Sequence, residues 1–270
     1  MGWIDYLLQA PVVKQAARGA SNWVDLQWSL LIAQLREVAP LAHGKLLDVG
    51  CGEKPYEDFF TPYVASYLGV EHEATFSHTT ASTRGKKPDV LYDGKRLPFD
   101  DESFDTVLSI QVLEHTDRPQ ELFAEMARVL RPGGTLLLSA PFSFRLHEEP
   151  FDFFRYTPHG LRELSNRYGL DVERTMAAGS LWSVMGHKFN SYLAFQVADL
   201  GAVTQAMGKG GHESVATKKP RVWSLPFVLP TMVAVSAGAR VLDRVLPDAT
   251  EALSYMIVAK KRMGDRVDED

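Results

Sequence analysis

Residues 45–56, Lys-Leu-Leu-Asp-Val-Gly-Cys-Gly-Glu-Lys-Pro-Tyr, constrain the fold more than any other stretch of the chain. An apolar run leads into an acid and then into a Gly-x-Gly turn. A strand that is apolar on both of its faces belongs to a parallel sheet covered by helices on each side. Gly50 can take backbone angles that a Cβ forbids, and Gly52 lets the backbone come close to a ligand. The next apolar run, Tyr67-Leu68-Gly69-Val70, ends in Glu71. An acid about 20 residues past such a turn can hold ribose hydroxyls. The pattern predicts a nucleoside site at the tip of the first strand.

Further strands follow at the spacing of a doubly wound α/β sheet. Ser66–Val70 reads as the second strand, Pro88–Gly94 as a short third, Thr106–Ile110 as the fourth and Thr135–Ala140 as the fifth. Tyr56–Tyr63 reads as a short crossover helix. A helix opens in the segment 114–119, carries Leu122, Met126, Val129 and Leu130 as its buried stripe, and stops at Arg131-Pro132-Gly133-Gly134. Ligands of such sheets sit beyond the carboxyl ends of the strands. Asp48, Glu71, Asp93 and Gln111 all fall there and should converge on one crevice.

Taken together, Leu-Asp-Val-Gly-Cys-Gly, Gly-Val-Glu, Asp-Gly-x-x-Leu-Pro-Phe, Ser-Phe-Asp-x-Val, Val-Leu-Glu-His and Arg-Val-Leu-Arg-Pro-Gly-Gly resemble, in order and spacing, the class I S-adenosylmethionine-dependent methyltransferases of the small-molecule type. The resemblance covers about Leu46 to Ala140. It implies a seven-stranded, mostly parallel Rossmann-like sheet and S-adenosylmethionine as methyl donor. Asp48 would reach the methionine ammonium, and Gly50, Cys51 and Gly52 would form the turn that passes the methionine part. Glu71 would take the ribose hydroxyls, since a carboxylate accepts two hydrogen bonds at once. Asp93 would meet the adenine amino group, Gly94 would leave room for the ring, and Gln111 would lie by the sulfonium. The third glycine that the family often has near Lys54 or Pro55 is missing. A nicotinamide-dependent oxidoreductase shares Gly-x-Gly and the following acid, but it also wants that third glycine and has no use for the Asp-Gly…Leu-Pro-Phe link. A non-catalytic, membrane-associated module that kept the fold is the other alternative.

The loop 141–158 is dense in aromatic and titratable residues, as an acceptor site requires. The alternative is that its rings anchor the loop and that Glu148, Glu149 and Arg155 form ion pairs. His147 and His115 are the candidate bases for an oxygen acceptor, because imidazole exchanges protons near neutral pH. No metal site is expected. Cys51, the single cysteine, reads as a small apolar filler, not a nucleophile. With no second cysteine to pair with, it fits a reducing, cytoplasmic compartment. A formal net charge of −5 disfavours a polyanionic partner such as nucleic acid.

The chain divides into an N-terminal helical cover or lid (1–44), the donor-binding core (45–177), an apolar helical insertion (178–250), and the last strand with a charged tail (251–270). Trp3, Trp23 and Trp28 would line an acceptor pocket if the N-terminal segment is a lid. Thr157 should cap a helix that has Pro158 in its first turn. Strands at Asp171–Ala177 and Glu251–Lys261 normally form a close hairpin in the family. Here about 70 residues intervene, far more than a hairpin loop needs. Within the insertion, Val222–Ala239 carries no charge and is long enough for a membrane span. Its prolines, Pro226 and Pro230, are expected to break a helix there, and the chain must return to rejoin the sheet. A flap, a homo-oligomer surface or peripheral contact with the inner membrane face are the readings left open, with a small-molecule or lipid-linked methyl acceptor.

Overall fold

The computed structural model describes residues 23–74, 86–200 and 221–263. Seven strands form one sheet in the order β3-β2-β1-β4-β5-β7-β6. They are β1 (Lys45–Val49), β2 (Ser66–His72), β3 (Val90–Tyr92), β4 (Phe104–Ile110), β5 (Leu130–Pro141), β6 (Leu170–Ala177) and β7 (Ser254–Lys261). β7 runs antiparallel to both of its neighbours, while the pairings among β1 to β5 are parallel. The strand order reverses between β1 and β4, which opens a crevice at their carboxyl ends.

Adjacent strand residues point to opposite faces, so Leu46 and Leu47 feed different cores. Leu46, Leu108, Leu137, Met256 and Val258 pack under helix α1 (Leu26–Val38) through Leu31, Leu35 and Val38. Leu47, Val49, Val107 and Leu136 pack on the other side, against α3 (Pro119–Val129) and α4 (Pro158–Arg167). The crossover helix α2 (Glu57–Phe60) is a single turn, shorter than its sequence pattern suggests. Asp25 caps α1 by accepting from Trp28 N, and Thr157 caps α4 by accepting from Gly160 N, as its Thr-Pro opening predicts. Arg-Pro-Gly-Gly does more than stop α3. Its residues are drawn into β5, which begins at Leu130 opposite Phe104, and Arg131 is held by Asp105.

The insertion between β6 and β7 contributes α5 (Leu181–Tyr192), a π turn (Leu193–Val197) and α6 (Leu225–Val245). Pro226 and Pro230 do not break α6, contrary to the sequence expectation. Pro226 lies in the first turn, where no N–H partner is needed, and Pro230 forgoes one internal bond while the helix continues through it. The two helices cross closely, since a Cβ on Gly186 would lie 3.0 Å from that of Ala239. Asn190 donates to Ser236 Oγ (2.8 Å), which donates to Val24 O (2.9 Å). Leu26, Val184, Ala239 and Leu253 complete a third core joining the insertion to α1. Within the described residues the N-terminal segment therefore covers the sheet. Trp3, the polar stretch between the insertion helices and most of the charged tail lie outside them.

Candidate active site

The turn after β1 is clamped to β2. Gly50 N and Cys51 N both donate to Val70 O, at 2.9 and 3.2 Å. Gly50 has φ +74° and lies so close to Val112 that a Cβ would stand 2.5 Å from its Cγ2. Gly52, at φ +50°, faces open space, with no atom within 4 Å of where its Cβ would be. That is the surface a ligand backbone approach requires. Where the third glycine might have stood, Lys54 takes the left-handed conformation itself, at φ +54°. Its buried ammonium pairs with Asp89, which also accepts from Gly69 N at 2.7 Å. A side-chain anchor thus replaces glycine's conformational freedom.

Glu71 is buried at the tip of β2. Its Oε2 accepts from Gly52 N at 2.7 Å and its Oε1 from His72 N at 2.8 Å. Burial pushes its carboxyl upward even though both bonds favour the anion. Asp48 is nearly inaccessible, accepts from Tyr67 Oη, and is pushed up to about 7, chiefly by burial. Asp93 lies exposed in the turn after β3, where its Oδ1 accepts from Lys95 N at 3.1 Å. Gly94 beside it is overlain by the His72 ring, 2.6 Å from where a Cβ would sit. Gln111 just past β4 has φ +57° and is locked to Ser139 by its N (2.9 Å to O) and Nε2 (2.8 Å to Oγ). Burial raises the Cys51 thiol well above its ordinary value, so it is unsuited to nucleophilic attack.

The loop after β5 brings a second group of side chains to the same mouth. His115 and His147 meet edge to face, with centroids 4.7 Å apart. His115 Nε2 lies 3.8 Å from both Glu114 Oε1 and Glu148 Oε2. Glu114 is wholly buried and is pushed up to about 8 by burial, and neither of its oxygens meets a hydrogen-bond donor among the described residues. Asp152 holds the loop together. It accepts from His147 N (2.9 Å), lies 3.2 Å from His147 Nδ1, and is gripped by both terminal nitrogens of Arg155 (2.5 and 2.7 Å). Phe144 stacks on His187 of α5, and Arg145 lies 4.0 Å over the Phe195 ring, so the insertion roofs the mouth. Trp28 stacks on Tyr56 at 6.2 Å on the opposite side.

The structure brings Asp48, Gly50, Cys51, Gly52, Glu71 and Gln111 to the crevice, with Asp93 and Gly94 at its outer edge and His115 and His147 together at its mouth. Sequence reasoning assigned no role to Lys54, Tyr67, Asp89 or Asp152, and placed Glu114 only at the opening of a helix. The Asp-x-x-Arg spacing of 152 and 155 is a legible ion-pair signal. Nothing local marks the burial of Glu114; the loop after β5 returns to this segment, where Phe153 N donates to the Glu114 carbonyl at 2.8 Å and Tyr156 Oη to that of Leu113.

Residues 47–138 match the methyltransferase-domain family. A methyltransferase of Mycobacterium marinum is 42% identical over 96 residues, which cover 35% of this chain and 38% of that protein. One from Mycolicibacterium paratuberculosis is 43% identical over 154 residues, covering 51% of this chain and 60% of that one. The chain thus spans less than two thirds of the length of either relative. Among solved structures, the [4+2]-cyclase SpnF superposes with a TM-score of 0.51 at 19% identity over 88% of this chain and 82% of that one. That likeness concerns the fold, which by itself does not fix an activity.

Proposed function

We propose that this chain, whose residues 47–138 match the methyltransferase-domain family, moves the methyl group of S-adenosylmethionine to a small or lipid-linked acceptor. The observation that carries the reading is Glu71, buried at the tip of β2 and tied to Gly52 N across the open side of the Gly-x-Gly turn. A carboxylate there has lone pairs left for ribose hydroxyls. Asp48 would serve the methionine ammonium, Asp93 and Gly94 the adenine, and Gln111 the sulfonium end. Transfer is an in-line displacement: the acceptor atom bonds to the methyl carbon as the carbon–sulfur bond breaks, leaving S-adenosylhomocysteine. Most of the rate comes from holding the two reactants in line and excluding water, under the roof made by the loop 141–158 and α5. For a hydroxyl acceptor, the proton leaves toward the cluster of His115, His147 and Glu114.

An apolar acceptor presented at a lipid surface is favoured by the outer face of the insertion. Met185, Phe189 and Tyr192 on α5 and Trp223 and Phe227 at the start of α6 are exposed, Phe227 by 75%. Met185, Phe189 and Tyr192 stand on α5, the helix that Phe144 of the mouth stacks against. α6 is long and apolar enough to cross a membrane. Ser236 and Arg240 of α6 donate to Val24 O and Trp23 O just ahead of α1, and Asn190 of α5 donates to Ser236; these bonds hold α6 to the domain, which suits lying on a surface.

Calorimetric titration with S-adenosylhomocysteine and with NAD tests the donor. Binding of the former alone is expected, and binding of NAD alone would overturn the reading. Flotation with phosphatidylglycerol vesicles tests the surface. The intact chain should float and the Trp223→Ser/Phe227→Ser variant should not. A chain that remains in the dense fraction and sediments as a dimer would assign the face to self-association.

A further inference from the structure

We propose that Glu114, His115 and His147 form a binding site for a divalent transition-metal cation at the mouth of the crevice. One ligand atom from each can be chosen so that all lie within 4.8 Å of one another. The cluster has the features of a built metal site, beyond the mere proximity of titratable groups. Each imidazole is oriented through its Nδ1, that of His115 by the Phe151 carbonyl at 2.7 Å and that of His147 by the Asp152 carboxylate at 3.2 Å. Among the described residues neither Nε2 is engaged in a hydrogen bond. Outer-shell acceptors on one ring nitrogen are the usual means by which a protein fixes the tautomer and aims the other nitrogen at a metal. Asp152 is itself immobilised by Arg155, so that orientation is rigid.

The independent observation is Glu114. Its side chain is fully buried, Oε1 points at His115 Nε2 from 3.8 Å, and neither oxygen accepts a hydrogen bond from a described residue. A buried carboxyl group whose oxygens meet no hydrogen-bond donor is costly, and a cation between the three groups would give those oxygens a partner. Glu148, with Oε2 3.8 Å from His115 Nε2, lies at the edge of the cluster, outside the three groups that come within 4.8 Å of one another. A tetrahedral ion with bonds of about 2 Å separates its ligand atoms by about 3.3 Å. The ligand atoms, up to 4.8 Å apart, therefore close by up to about 1.5 Å around an ion, and the His115–Glu114 pair by about 0.5 Å, through side-chain rotation. Two imidazoles and one carboxylate, with a position left open, suit Zn²⁺, Co²⁺, Mn²⁺ or Fe²⁺ better than Mg²⁺ or Ca²⁺, which take oxygen ligands. At this place, and resting on the methyl-transfer reading, such an ion would bind the acceptor's oxygen and lower its pKa, so that its proton passes to solvent water before the methyl arrives; with the ion bound, His115, His147 and Glu114 serve as ligands and not as the proton acceptor.

Metal binding is tested apart from activity. The full chain, treated with chelator and dialysed, is titrated with Co²⁺ in the absence of methyl donor, and binding is read from its visible d–d absorption and by elemental analysis. One equivalent, displaced by Zn²⁺, is expected. Glu114→Gln, His115→Ala and His147→Ala should each weaken binding by at least about 100-fold. Asp152→Asn, which only releases a positioning partner, should weaken it by about 10–100-fold. The exposed His159→Ala variant should bind as the parent does. Thermal melts identify any variant that fails to fold, and the parent's spectrum decides the question without them: d–d bands of low-symmetry nitrogen–oxygen coordination support the site, and the spectrum of the hexaaqua ion overturns it. Binding that survives in the folded cluster variants, or that His159→Ala abolishes equally, also overturns it. Failure of S-adenosylhomocysteine to bind would refute the methyl-transfer reading and leave the metal site standing.

Discussion

Asp48 offers the sharpest test of how the site is maintained. It lies in the middle of the sheet, pairing in register with Gly69 and Leu108, and among the described residues its side chain accepts from Tyr67 Oη alone. Burial lifts its pKa from an ordinary 3.8 to about 7. An acid whose folded pKa lies above its unfolded one holds its proton more tightly in the folded state. Its stabilising contribution is therefore complete below about 4 and is lost as the pH rises to about 7. The gap corresponds to about 4 kcal/mol. Asp48→Asn keeps the shape and removes the charge. It should leave stability nearly unchanged at pH 4. By pH 8 it should raise the unfolding free energy by about 4 kcal/mol relative to the parent, the Tyr67 bond to the anion being already contained in the raised pKa. Urea unfolding of the full chain at both pH values reads this directly. A variant less stable than the parent at pH 8, or a difference that does not change with pH, refutes the reasoning. The same linkage reaches the ligand. If a methionine ammonium is met by ionised Asp48, binding of S-adenosylhomocysteine releases a proton below pH 7, and its affinity climbs by up to about tenfold per pH unit there.

Gly50→Ala and Gly52→Ala should part company. The first sets a Cβ against Val112 and should lower the thermal midpoint by several degrees, at a cost of about 2–3 kcal/mol. The second meets nothing in the protein, should cost about 1 kcal/mol for its backbone angle, and should still weaken S-adenosylhomocysteine at least about tenfold in a calorimetric titration, because the open space it fills is the ligand's. Glu71→Ala leaves Gly52 N and His72 N without their acceptor, so both nucleoside affinity and the melting temperature should fall; unchanged affinity in a folded variant would remove the ribose role. Lys54→Met keeps the left-handed residue and removes its ion pair with Asp89, which is partly exposed. A loss of about 1–2 kcal/mol in chemical denaturation is expected, smaller in 1 M salt only to the extent that Asp89 is screened.

The parallel core was legible because its strands are continuous apolar runs, and such runs mean burial on both faces wherever they occur. Boundaries were less so. β5 begins at Leu130 and not at Thr135, since Phe104 offers it a partner and Asp105 a counter-ion, and pairing between segments some 26 residues apart leaves no local trace. Pro230 was misjudged because helix propensity counts the lost N–H bond and ignores the tertiary bonds of Asn190, Ser236 and Arg240 that hold the same helix in place. Among the site residues, those at strand tips could be placed from order and spacing. Those that depend on a distant loop could not: Glu114 is a buried, donor-free carboxylate in a segment to which residues 151–156 return.

The position of the insertion follows from topology alone. β7 runs against its neighbours, so its first residues stand beside the last residues of β5 and β6: Ser254 opposite Pro141, and Tyr255 opposite Ala177. Parallel strands gather their ligand groups at their carboxyl ends, and the β6–β7 connection begins and ends at that same edge of the sheet. A segment inserted there leaves and rejoins the sheet on the side where the crevice opens. An insertion in any connection at the opposite edge would leave the site untouched. The contacts of Phe144 with His187 and of Arg145 with Phe195 are the consequence, and they couple the loop that positions His147 to the helix whose far side is exposed and apolar. Whatever settles on Met185, Phe189 and Tyr192 therefore bears, through one helix, on the geometry of the reacting end.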